Sequence, residues 1–174
     1  GPQDEREYWL QKAQTALQNA YDLNLHLKPA KIQMEVTKST YFTFDSPRYK
    51  LKSKADRVDW YSDSEYCLID YKWDEKPLSE EDAIIDFQTV LYYLTWMGDM
   101  EGVPPKLISY QFLTPGIQVD VTPTVTTMEA GIERLIHYIE KAENLKSQTT
   151  EPEATRNDYC YNCKLYGKCP ATKL

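Results

Sequence analysis

The sequence predicts an α/β sandwich, a mixed β-sheet flanked by helices. Three observations lead there. Apolar residues recur at spacings of three and four near the amino terminus, after residue 80 and after residue 128, as amphipathic helices require. Between those stretches lie short runs that read as extended, separated by Pro, Gly, Ser and Asp. The resulting order is helix, three strands, helix, strand, strand, helix. A chain of 174 residues, 41% hydrophobic and 27% charged, suffices for one globular domain with a real core.

The first helix is expected over 4–25, with Leu10, Ala13, Leu17 and Ala20 as its packed stripe and Pro29 beyond its end. Residues 31–36 and 40–44 read as extended. Ser46-Pro47 marks a turn before a long strand from Arg48 to about Tyr61. Ser62-Asp63-Ser64 turns the chain into a strand from Glu65 to Trp73. Glu80, Glu81 and Asp82 place negative charge where the positive end of a helix dipole favours it, and that helix should reach about Met97. Pro104-Pro105 closes the connection to a strand at 107–113, Thr114-Pro115-Gly116 turns into a strand at 117–121, and Met128–Leu145 forms the last helix. The expected core covers 3–146, followed by a cysteine-containing tail, 147–174, in the same domain.

A net charge of −7 argues against coating nucleic acid through overall basicity. A local basic track is still compatible. Arg48, Lys50, Lys52 and Lys54 share the parity of Asp56 and would line one face of an extended strand, either as a path to that carboxylate or as an ordinary solvated face. No apolar run approaches the ~18–20 residues that span a membrane, and no secretory leader pattern is seen, so a soluble, cytoplasmic protein is expected. Gly1-Pro2 resembles the pair left by a tag-removing protease, and an upstream segment is expected for that reason.

The chemistry concentrates at Asp56, Asp70 and Lys72. If the two runs pair, the carboxylates converge, and Asp70 and Lys72 point the same way by strand alternation. Phosphodiester hydrolysis needs an activated water and compensation for charge on the leaving oxygen, which a hard divalent cation on oxygen ligands supplies. Asp56 and Asp70 would hold it, the Tyr71 carbonyl offers a third oxygen, and Lys72 would offset negative charge on the phosphate. Asp-x-Lys on a strand is also a common surface ion pair. The apolar Cys67-Leu68-Ile69 before Asp70 favours the functional reading, because an unpaired carboxylate ending a buried run is costly. On the next helix Ile84, Phe87, Leu91 and Leu94 form the expected core stripe. Gln88 falls within it, with Tyr92 one turn on, either as a satisfied core pair or at the edge of the site.

Asp56, then Asp70-Tyr71-Lys72, then Gln88-x-x-x-Tyr92 resembles the PD-(D/E)XK superfamily, in particular its RecB-like branch. The likeness spans about residues 30–115 and extends to 169 through the cysteines. It implies a restriction-endonuclease-like core and Mg²⁺- or Mn²⁺-dependent DNA cleavage in repair, recombination or CRISPR adaptation. It further implies Asp56, Asp70 and Lys72 as catalytic residues, with Gln88, Tyr92 and Arg57 supporting the site or touching nucleic acid. An upstream histidine or glutamate often joins the metal in such nucleases; Glu35 is the better candidate here and His26 the weaker. Asp59 is an alternative to Asp56 on the opposite strand face, and the usual glycine shortly before the first aspartate is absent.

Cys160, Cys163 and Cys169 form a C-x₂-C-x₅-C triplet. In a reducing compartment that spacing points to metal rather than disulfides, with zinc the generic choice. The family resemblance implies instead a 4Fe–4S cluster, which takes four thiolates. The remaining Cys67 reads as a small buried thiol, so the fourth ligand is expected from an upstream segment. The expected function is a DNA nuclease, an exonuclease on single-stranded ends, in contact with DNA and possible partner subunits of a repair complex and with no membrane. The alternatives are a non-catalytic RecB-like DNA-binding or scaffold domain and a zinc-binding interaction module.

Overall fold

A computed structural model describes residues 2–44, 48–73, 76–147 and 154–172. The chain divides into two compact units, residues 1–136 and 137–174. Where the sequence suggested a boundary after residue 146, contacts place it inside the last helix, α4 (Val125–Ser147). All the buried residues of α4, Met128, Gly131 and Leu135, precede that point. The expected turn at Ser46-Pro47 and residues 148–153 of the tail lie outside the described residues.

The first unit is a mixed α/β fold built on a five-stranded sheet in the order β1-β2-β3-β4-β5. β1 (Lys31–Thr43) and β2 (Arg48–Trp60) make a long antiparallel ribbon, and β3 (Tyr66–Lys72) pairs antiparallel with β2. β4 (Leu107–Phe112) runs parallel to β3, and β5 (Ile117–Val121) closes the sheet antiparallel. The parallel pair needs a crossover, which α2 (Glu80–Ile84) and α3 (Phe87–Asp99) supply.

The sequence suggested one helix from 80 to 97; the chain makes two. Asp86 is extended, and its carboxylate accepts from the Gln88 amide at 2.8 Å, capping a new helix at Phe87. α3 is buried on nearly every side, from Thr89 and Val90 through Tyr92–Trp96. Of the expected stripe Leu94 is buried, whereas Ile84, Phe87 and Leu91 are only half-buried and Val90 and Trp96 are fully enclosed. Trp96 meets Trp60 and Tyr66 with ring centroids 6.4 and 5.4 Å apart. Gly98 sits where a Cβ would collide with Thr40, which lets the end of α3 lie against β1.

Two further expectations shift. β1 is one continuous strand rather than two runs. In α1 (Pro2–Asn24), Leu10 and Leu17 face outward, 59% and 72% exposed, while Ala16 is buried and Ala13, Asn19, Ala20 and Asn24 line the half-buried side. Asn19 donates to the carbonyls of Leu113 and Thr114, so this helix is tied by amides more than by leucines. Among the described residues, no helix is long and apolar enough to cross a membrane.

The β1–β2 ribbon changes face partway along. In its outer part Ser53 bonds Thr95 of α3 and Lys38 pairs with Asp99, so odd residues of β2 and even residues of β1 face α3. Nearer the turn to β3 the parity is reversed: Trp60 lies against Trp96 with the rings tilted by 51° and donates to Gln33. The switch falls at Glu35, whose φ is +58°, and at its register mate Asp56; these two interrupt the regular pairing while the register on either side is unchanged. A left-handed residue other than glycine in a strand is sterically costly.

Candidate metal and nucleic-acid site

The site lies where β2 and β3 part. Regular pairing between them runs only from Trp60↔Tyr66 to Arg57↔Ile69, although β2 extends back to Arg48 and β3 onward to Lys72. One residue past the last pair, the register sets Asp56 opposite Asp70. There the Tyr71 amide donates to Asp56 Oδ2 at 2.9 Å, so a side chain replaces the strand partner at the fork. Residues opposed on antiparallel strands share a face, which brings the two carboxylates together.

Asp70 is 4% exposed and fully engaged. Its Oδ1 accepts from Gln88 Nε2 at 2.6 Å and lies 2.7 Å from the Tyr92 hydroxyl; its Oδ2 is 2.7 Å from Lys72 Nζ. Lys72 also donates to Gln88 Oε1 at 2.6 Å, and Gln88 Nε2 reaches the Tyr92 oxygen at 2.9 Å. The Tyr92 hydroxyl has a second acceptor, the Lys54 carbonyl at 2.8 Å, and its single proton serves one at a time. Gln88 and Tyr92 meet Asp70 together because they are four residues apart on α3, while the Asp86 cap fixes where α3 begins. Lys72 Nζ lies 5.5 Å from the Tyr110 ring centre, and Tyr110 is held by Thr89 at 2.7 Å. Burial, with help from Asp70, pushes the Tyr92 phenol well above its usual range, so it stays a neutral donor.

Asp56 differs from Asp70. Burial raises its carboxyl above the ordinary range, the Tyr71 amide opposes that shift, and the negative charges of Asp70 and Glu35 add to it. Glu35 is therefore near enough to be felt, but its carboxylate pairs with Lys54 and is 58% exposed. Among the described residues no three His, Cys, Asp or Glu side chains converge as a metal cage. Asp56 and Asp70 remain as a two-carboxylate donor set, with the Tyr71 carbonyl as a further oxygen. That set suits a hard cation such as Mg²⁺, which commonly keeps several waters and takes one or two carboxylates. The chain thus brings together Asp56, Asp70, Tyr71, Lys72, Gln88 and Tyr92 and leaves Glu35 at the rim; His26 is exposed beyond α1.

Arg57 needs correction. It lies on the opposite face, bound to Asp59 at 2.6 and 2.7 Å, to Asn24 of α1 at 3.0 Å and near the Tyr71 hydroxyl at 3.4 Å. Asp59 is fully buried there, as its parity indicated. Asn24 also exchanges hydrogen bonds with the buried Gln111. No local pattern announces this network; its members come from three strands and α1. The Asp86 cap could have been read from sequence, but the continuous helical periodicity around it hides it.

In the second unit no disulfide joins the cysteines. Cys160 Sγ accepts from the Asn157 amide at 3.3 Å and Cys163 Sγ from the Leu165 amide at 3.5 Å. Backbone amides aimed at sulfur suit thiolate ligands, but three thiols do not complete a four-thiolate cluster, and they are not gathered as a metal group. Cys67, in the first unit, is half-buried with its thiol pushed up to about 11 by burial, which makes it a poor thiolate.

The fold and site define an α/β protein with a five-stranded mixed sheet flanked by helices and a carboxylate–lysine cluster at the fork of two central strands. No known protein family and no curated protein matches the chain. Among solved structures it is similar to one described as "Crystal structure of SSO0001", with a TM-score of 0.54 and 15% identity over 91% of this chain and 68% of that one. At that identity the likeness speaks for the fold alone.

Proposed function

We propose that the chain is a metal-dependent DNA nuclease of the RecB-like type, acting as an exonuclease on single-stranded ends. The observation that carries the reading is the Asp70 carboxylate, held between Lys72, Gln88 and Tyr92 with Asp56 opposite it at the fork. A bound Mg²⁺ or Mn²⁺ would supply activated water and a Lewis acid for the phosphate. Gln88 and Tyr92 hold Asp70 in one orientation, and Gln88 also steers Lys72. The Lys72 ammonium, partly open to solvent, offsets charge on the phosphate in the transition state.

One observation favours the second reading, a non-catalytic RecB-like domain that binds DNA: the absence of a third ligating side chain among the described residues. Cleavage of end-labelled single- and double-stranded DNA in Mg²⁺, Mn²⁺ or EDTA, by the protein and by Asp70→Asn, separates the two. Metal-dependent cutting that falls by about 10²–10³ in the variant is expected. DNA binding with no cutting under either metal selects the second reading.

A further inference from the structure

The outer β1–β2 ribbon carries a patch that the nuclease chemistry leaves unused. Arg48, Lys50, Lys52 and Lys54 are all exposed and stand on the face turned away from α3. Their register mates across the ribbon, Thr43, Tyr41, Ser39 and Thr37, are exposed hydroxyl-bearing residues. Neither 37–43 nor 48–54 contains an aspartate or glutamate, in a chain whose net charge is −7. The Arg48 guanidinium stacks 3.8 Å from the centre of the Tyr41 ring, which holds its planar fork in place. Among the described residues Lys50 and Lys52 make no ion pair, whereas Lys54 pairs with Glu35 at the face switch beside Asp56. The stripe therefore ends at the fork.

We infer that this face binds the phosphate backbone of a single-stranded nucleic acid and carries it as far as the fork, past which the carboxylates of Asp56 and Asp70 stand on the α3 side of the sheet; in this it deepens the nuclease reading and rests on it. Alternate strand residues are about 6.6–6.8 Å apart, comparable with the separation of successive phosphates in a stretched single strand. One cation therefore meets one phosphate, and the neighbouring hydroxyls are placed to donate to its oxygens. Tyr41 beside Arg48 offers a ring face on which a base can stack. A duplex presents its phosphates along a curved groove and fits a straight row of four less well.

The test is fluorescence anisotropy of labelled single-stranded DNA, single-stranded RNA and duplex DNA in EDTA, across a salt series, with the whole protein. The variant is Arg48→Gln/Lys50→Gln/Lys52→Gln; Lys50→Arg/Lys52→Arg keeps the charge. The neutral triple variant should lose about tenfold in affinity at low salt, and its log–log salt slope should be shallower by about 2, from three lost phosphate contacts. The arginine pair should bind like the parent, and melting temperatures should agree, since these side chains are exposed. DNA and RNA arms show which sugar is preferred. Unchanged binding in the triple variant overturns the inference. So does a duplex bound as tightly through the same residues, or a polyglutamate peptide that displaces the oligonucleotide at equal charge. Because binding is read without divalent metal, a protein that binds through the stripe but cuts nothing with Mg²⁺ or Mn²⁺ overturns the nuclease reading and leaves the track standing.

Discussion

At the scale of single residues, Asp56 and Asp70 share a site and carry different loads. Asp70 has a cation and two neutral donors on its oxygens, while Asp56 is pushed upward by burial and by Asp70 and Glu35. A carboxyl whose folded value lies above its unfolded one costs stability when it ionises. That cost is absent below the ordinary carboxylate range and complete above the raised value. Asp56→Asn should therefore melt a few degrees higher than the parent at neutral pH without divalent metal, and the gap should close as pH falls toward the ordinary carboxylate range. Added Mn²⁺ should raise the melting temperature of the parent and not of the variant; thermal melts across pH and Mn²⁺ concentration read both. Asp70, Lys72, Gln88 and Tyr92 were legible in the sequence because strand alternation and helical i, i+4 spacing are strictly local rules. Arg57 does not stand where the resemblance implies, because its partners, Asn24 and Asp59, are fixed by tertiary packing that no local pattern carries.

At the scale of elements, the face switch in β1 and β2 and the break before α3 are what position the site. Glu35 sits at φ +58° although it is not glycine. Glycine there would remove the Cβ clash, and alanine would keep it while losing the Lys54 pair. Glu35→Gly should exceed Glu35→Ala in stability by about 1 kcal/mol in urea denaturation, the left-handed cost of roughly 1–2 kcal/mol being partly offset by glycine's greater unfolded-state freedom. Equal stabilities would mean that the switch is not held at this residue. The strands themselves are readable from their runs, but a left-handed glutamate leaves no sequence signal and the face switch is hidden with it, while the polar Thr37-Lys38-Ser39 breaks the apolar run where β1 is continuous. The α1 stripe was displaced for a related reason. Leucines mark the apolar side of an ordinary amphipathic helix, yet this helix is fastened through Ala16, Asn19 and Asn24.

At the scale of the molecule, the order of elements was legible and the partition of the chain was not, because α4 reads as one uninterrupted helix while its contacts divide at 136/137. The two units hold different donor chemistry: hard carboxyl oxygens at the fork, soft cysteine sulfurs at Cys160, Cys163 and Cys169. Metal loading should separate accordingly. After anaerobic incubation with iron and sulfide, or with zinc, bound metal should fall in Cys160→Ser/Cys163→Ser and be unchanged in Asp56→Asn/Asp70→Asn. Mn²⁺ binding by electron paramagnetic resonance should show the reverse. Loss of both in either variant would tie the two sets into one centre. The paired switch at Glu35 and Asp56 has an architectural consequence of its own. Both strands reverse at one level, so their register beyond it is the same as before it. The outer ribbon can then be lengthened or shortened by matched residues without turning either carboxylate away from its neighbours. Its reach is an independent variable, open to change while the chemistry at the fork stays as it is.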